Sequence, residues 1–294
     1  MRRIAAFVAV FGVVAACLAG GAAAQARPRA LIAFLPTQPA PKMPLLFDLA
    51  ERDFSYGVTS PTLGAYFKRQ MLLDMSQGSR IANHAYPEDL GRLDLVPGNS
   101  GDGSIEGWAL AARRADKAPG DVVAGLLGAT VNGHGGRVGY AGVVGFEQTE
   151  AIVAADTRGH VDEVSLGTIG TFAERALRVW QDSDLLVARF PNDDSGLAAL
   201  DRVLAARQPG DLILVVRAPP AGRGRLLPTG LLGPGSKGQV IYSPTTRRVG
   251  LVAATDFAPT VLHHLGIDFR QEYEDTFQRL RNRLSEGRPV RDLG

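Results

Sequence analysis

Six short apolar runs constrain what this chain can fold into. They are 29–35 (RALIAFL), 137–145 (RVGYAGVVG), 151–155 (AIVAA), 184–190 (DLLVARF), 211–217 (DLILVVR) and 249–254 (VGLVAA). A strand with one wet face alternates apolar and polar residues. Runs that are apolar at nearly every position need cover on both faces, the condition of a mainly parallel sheet. Between the runs the period lengthens to that of a helix. In DDSGLAALDRVLAAR (193–207), Leu197, Leu200, Val203 and Leu204 share one face, and Asp193, Asp194 or Ser195 is placed to accept the free N–H groups of the first turn. GDVVAGLLGATVNG (120–133) and TFAERALRVWQ (171–181) predict two further helices. The alternation predicts an α/β fold, with a mainly parallel sheet between helices.

The 294 residues are 45% hydrophobic, enough to fill one substantial core. Thirty-two basic residues against 30 acidic ones leave a formal charge of +2, so no overall field points to nucleic acid. The first 26 residues have a basic start at Arg2 and Arg3, an apolar stretch from Ile4, and small residues at Ala22, Ala23, Ala24 and Ala26. This pattern predicts a secretory signal cleaved after Ala24 or Ala26. Val14-Ala15-Ala16-Cys17 also matches a bacterial lipoprotein box, and an uncleaved membrane anchor is a third reading. All three place the body outside the cytoplasm: secreted, periplasmic or attached to the envelope. Cys17 is the only cysteine, which excludes an internal disulfide and thiol catalysis from the body.

The organisation expected is a signal at 1–26, an α/β domain at 27–268, and an amphipathic helix with a tail at 269–294. In that helix Phe269, Tyr273, Phe277, Leu280 and Leu284 repeat at helical steps, opposite charges of both signs. Membrane or envelope components, including a separate membrane protein, are the partners that this organisation suggests.

VAATDFAPTVLHHLGID (252–268) looks at first like a metal site. His263 and His264 are adjacent, so on a helix they point about 100° apart. Asp256 lies about 11 Å further back along the axis, too far for a shared ion. The stretch reads instead as a strand-to-helix joint: Thr255 or Asp256 caps, with Asp256 favoured, Pro259 sits in the first turn and Gly266 ends the helix.

That joint resembles the late strand-to-helix joint of the alkaline phosphatase superfamily. GLLGPGSKGQVIYSPTTRRVGLV (230–252) resembles the preceding segment in an exported or membrane-attached bacterial subgroup. The resemblance implies an alkaline-phosphatase-like sandwich. It also implies, for active members, an Asp ending the first strand, a Ser or Thr nucleophile at a helix start, and an Asp-His pair after a central strand. Together these hold two divalent ions. By the same resemblance, VTSPTLGAYFKRQ makes Thr59 the first nucleophile candidate and Ser60 the second, with an ordinary N-cap at Ser60 as the alternative. The metal ligands depart from the pattern. Leu35-Pro36-Thr37 stands in place of the first Asp, and Arg217-Ala218-Pro219-Pro220 in place of Asp-His. No metal ligand is assigned; Zn, Mn or Mg is implied only for an active enzyme. His84, His134, His160 and Asp156 are scattered and carry no family spacing.

Arg80 and Arg217 are candidate anion ligands, because a guanidinium offers paired donors to phosphate or carboxylate oxygens. The glycines of NGHGGRVGYAG (132–142) precede a strand, the wrong order for a dinucleotide loop, and GPGSKG (233–238) reads as a turn. Three functions follow: a non-catalytic envelope binding or scaffolding module, a metal-dependent phosphoesterase or phosphotransferase using Thr59 or Ser60, and a metal-free binder of anionic envelope polymers.

Overall fold

The computed structural model describes residues 27–36, 44–60, 67–86, 88–120, 122–191, 194–219, 226–236, 238–267 and 291–292. The segment expected as a signal, Thr37 and nearly all of the stretch 269–294 expected as a helix and tail lie outside them. In chain order the elements are β1 (Ala30–Leu35), α1 (Pro44–Ala50), β2 (Ser55–Ser60), α2 (Lys68–Gln77), β3 (Asp94–Pro97), β4 (Gly103–Glu106), α3 (Trp108–Asp116) and α4 (Leu126–Gly133). Then come β5 (Val138–Val143), a 3-10 turn at Thr149–Val153, β6 (His160–Val161), β7 (Glu163–Gly167), α5 (Phe172–Asp182), β8 (Leu185–Arg189), α6 (Asp194–Ala206) and β9 (Leu212–Arg217). The chain closes with β10 (Leu227–Leu232), β11 (Ile241–Ser243), β12 (Arg248–Val249), β13 (Leu251–Ala253), α7 (Phe257–His264) and β14 (Arg291–Asp292).

Eight strands form the main sheet in the order β13-β2-β10-β9-β1-β8-β5-β7. β10 runs against both of its neighbours, and every other pairing in the sheet is parallel. Alternation along each strand divides the core in two. Ala30, Ile32 and Phe34 of β1 join Met71 of α2, Leu127 of α4 and Phe257 of α7 on one face. Leu31, Ala33 and Leu35 join Leu49 of α1, Trp180 of α5 and Leu200 of α6 on the other. Because helices cover both faces, the central strands have no wet side, which is why their sequences do not alternate. The expected α/β class is the one observed.

Three sequence expectations are corrected. The run at 151–155 is not a strand; it continues the 3-10 turn, packed between α2 and the sheet. A short run buried all round carries no period that separates strand from turn. The run at 249–254 is two strands: Gly250, at φ 75°, turns the chain so that Arg248–Val249 pairs with β11 and Leu251–Ala253 with β2. The helix expected over 120–133 begins only at Leu126. Gly125 before it sits at φ 76°, and a Cβ there would lie 2.2 Å from the Asp156 carbonyl oxygen.

At the amino edge of the sheet, Arg29 grips Asp211 with two bonds of 3.1 and 2.8 Å and stacks 4.8 Å above the Trp180 ring. His264 Nε2 lies 3.2 Å from the Arg29 carbonyl, and burial lowers the pKa of its imidazole. His264 is therefore part of the amino edge, and His263 is exposed.

Candidate functional site

Parallel strands end together, so β1, β2, β5, β7, β8, β9 and β13 present their last residues along one carboxyl edge. Register places Arg217 of β9 beside Leu35 and Arg189 of β8 beside Phe34, so the two arginines flank the end of β1. Two strand spacings separate their backbones by about 10 Å. Alternation puts Arg189 in phase with Leu185 and Val187, toward α2, and Arg217 in phase with Ile213 and Val215, toward α6. Arg217 Nε is enclosed without a hydrogen-bond partner among the described residues, and burial lowers the guanidinium pKa.

The densest charge at this edge lies between β8 and β5. The segment after β5 leaves to the α2 face through the 3-10 turn, while β8 leads into α6 on the opposite face. The place where neighbouring connections part in this way is the usual ligand position in such sheets. Glu150 is fully buried there; it accepts from Arg189 Nη1 at 3.3 Å and forms an ion pair with Lys68 Nζ at 3.1 Å. Lys68, the first residue of α2, also reaches Glu147 at 3.2 Å, and Arg69 Nη2 lies 3.9 Å from the same carboxylate. Arg189 sits 5.7 Å from the Phe146 ring centre.

The loop that carries Glu147 and Glu150 is pinned. Gln148 Nε2 donates to the Val143 and Phe146 carbonyls at 2.7 Å, and the Tyr140 hydroxyl donates to Gln148 Oε1 at 2.8 Å. Burial, reinforced by the Glu150 charge, holds the Tyr140 phenol well above its ordinary pKa, so it stays a donor.

The sequence candidates are dispersed. Thr59 does not open a helix: it lies inside β2, fully buried, with its Oγ1 2.6 Å from Thr229 Oγ1. A hydroxyl enclosed in this way has no open face for a substrate. The reading failed because SYGVTS alternates inward Ser55, Gly57 and Thr59 with outward Tyr56, Val58 and Ser60, a strand signal hidden by small residues. Ser60, half-buried, ends the strand. Arg80 follows the far end of α2, a helix of about 15 Å from its start at Lys68, and its charge faces Asp74. Arg80 and Arg217 are therefore not one site.

Asp256 is fully buried beyond β13. Its Oδ2 accepts the Ala253 N–H at 2.9 Å and the Ser243 hydroxyl at 2.7 Å, tying the turn before α7 to β11. After α7, Gly266 at φ 72° and Ile267 donate back to the His263 and Leu262 carbonyls, closing the helix. Asp156 accepts from the Arg158 and His160 backbone and from the Arg158 side chain, which organises the 156–160 turn. His84 is exposed, and His134 closes α4 on the Thr130 carbonyl. His160 stands between Asp102 at 3.3 Å and Asp162 at 3.7 Å.

Among the described residues, Glu147, Glu150 and Asp256 are already engaged by cations, a hydroxyl or a backbone N–H group. Among the described residues, no three His, Cys, Asp or Glu side chains form a group that could hold a metal ion. The two-ion centre implied by the resemblance does not fit this donor set. Lys68, Arg69, Glu147, Glu150 and Arg189 were not singled out by sequence reasoning. The available signals were an arginine ending an apolar strand and a glutamate opening the apolar run at 151–155.

No family model and no curated protein sequence matches the chain. Among solved structures, the PH0037 protein of Pyrococcus horikoshii is similar at a TM-score of 0.49 and 10% identity, over 85% of this chain and 100% of that one. The cofactor-independent phosphoglycerate mutase of Thermoplasma acidophilum DSM 1728 is similar at a TM-score of 0.38 and 9% identity, over 81% of this chain and 100% of that one. No described helix is long and apolar enough to cross a membrane.

Proposed function

We propose that the chain is an exported domain of alkaline-phosphatase-like build that works as a non-catalytic binding or scaffolding module of the cell envelope. The observation that carries this reading is the make-up of the carboxyl edge. Where phosphoryl transfer on two metal ions needs free carboxylates and imidazoles, the strands end in Leu35, Ser60, Arg189 and Arg217. The nearest buried acids, Glu150 and Asp256, are committed to Lys68, Arg189, Ser243 and Ala253. A cationic edge suits the holding of an anionic group and ill suits the binding of cations. Export rests on the amino-terminal pattern.

The test is hydrolysis of bis-p-nitrophenyl phosphate by purified protein supplied in turn with Zn, Mn and Mg. The expected rate is that of the blank, unchanged in Ser60→Ala and Thr59→Val. Turnover that EDTA abolishes and Ser60→Ala lowers about a hundredfold or more would establish the phosphoesterase reading instead.

A further inference from the structure

We infer that the charged carboxyl edge between β8 and β5 binds an oxyanion group, a phosphate or a carboxylate carried by a larger envelope molecule, with Arg69 and Arg189 as its ligands. Glu150 is then a positioning residue, and Glu147 a placeholder that the ligand displaces. The inference deepens the binding-module reading and rests on it for the origin of the ligand.

Charge comes first. Lys68, Arg69 and Arg189 meet Glu147 and Glu150, an excess of one positive charge in a half-enclosed place. The two carboxylates differ in kind. Glu150 is sealed in the core and holds Lys68 and Arg189 within 3.3 Å, so it fixes where those cations stand. Glu147 is half exposed and reaches Arg69 only at 3.9 Å, too long for a hydrogen bond. An incoming oxyanion therefore competes with Glu147 and leaves Glu150 in place.

Donors are also left over. Arg69 Nε is enclosed with no hydrogen-bond partner among the described residues. Both bonds from Arg189 to Glu150 leave from Nη1, so that carboxylate engages neither Nε nor Nη2. A guanidinium fork with donors that Glu150 leaves free, backed by Phe146 and linked to Arg69 through Glu150, Lys68 and Glu147, matches the planar pairs of oxygens in phosphate and carboxylate groups.

The experiment is isothermal titration of the EDTA-treated full chain with inorganic phosphate and, separately, with succinate. Saturable one-to-one binding is expected, weakened about tenfold or more in Arg69→Gln and in Arg189→Lys and tightened about threefold in Glu147→Gln, whose competing charge is gone. A purely structural ion network would not produce that tightening. Tighter binding of phosphate assigns a phosphate group, and tighter binding of succinate a carboxylate. Should Arg189→Lys fail to fold, Arg69→Gln and Glu147→Gln decide, since both leave Glu150 and its Lys68 and Arg189 partners in the chain. No saturable binding of either anion, or equal affinities across the three variants, overturns the site. Metal-dependent hydrolysis alongside EDTA-resistant binding would instead remove the non-catalytic reading and leave the site standing.

Discussion

Asp74 shows how far a single side chain can depart from its sequence context. It lies on α2 with its carboxyl fully buried; Gln70 and Gln77 donate to Oδ1 at 2.7 and 2.9 Å, and Oδ2 has no hydrogen-bond partner among the described residues. Burial raises its pKa well above the ordinary value, against the pull of the two amides and of Arg80 and Arg114. A carboxyl raised in this way binds a proton in the folded chain that the unfolded chain releases. Its contribution to stability is full below about pH 4, the ordinary Asp range, and is lost as pH rises toward the folded value. In Asp74→Asn the amide oxygen keeps both glutamine bonds and has no charge to bury. The melting temperature of that variant should gain on the parent between pH 5 and pH 8, and a constant difference across that range would disprove the burial argument. Nothing in KRQMLLDMSQ marks Asp74 as buried. Asp256, expected to cap α7, makes no side-chain cap bond to that helix; its carboxylate reaches back to the Ala253 N–H and closes the 3-10 turn that precedes it.

At the scale of elements, the longer apolar runs and the helical period were legible, and short or small-residue segments were not. The helix 194–206 and the strands 30–35, 185–189 and 212–217 stand within a residue or two of the sequence expectation. The run at 151–155, expected as a strand, falls mostly in the 3-10 turn at 149–153, because burial all round erases the pattern. The start of α4 is set by backbone contact, which a sequence does not display. Gly125 holds a positive φ against the Asp156 carbonyl, whereas Gly145, at φ 86°, faces open space. Both Ala substitutions incur left-handed strain of about 1–2 kcal/mol. Gly125→Ala adds a clash with backbone and should lose about 3 kcal/mol or more in urea unfolding, clearly more than Gly145→Ala. Equal losses would mean that strain alone matters at this turn.

At the scale of the molecule, the sheet is clasped at its amino edge and charged at its carboxyl edge. Arg29 joins β1 to Asp211 before β9 and to Trp180 of α5, and Asp211 is 1% exposed. Removing the cation leaves a buried carboxylate unpaired, so Arg29→Met should lose about 3–5 kcal/mol, read as a lower denaturant midpoint. Pairing Arg29→Met with Asp211→Leu should restore part of that loss, because no buried charge is then left alone.

The sequence by itself determined the α/β class, the main buried strands and the local joints, because each depends on hydrophobic period or on residues within one turn of one another. It also revealed that the acids expected at the strand ends are absent. Only the tertiary structure decided which strands are neighbours, that Thr59 is sealed inside β2, and that Lys68, Glu150 and Arg189 meet. Those three residues are separated by 82 and 39 positions. What brings them together is the parallel pairing of β8 between β1 and β5, and that order follows from how the whole chain packs both faces of one sheet.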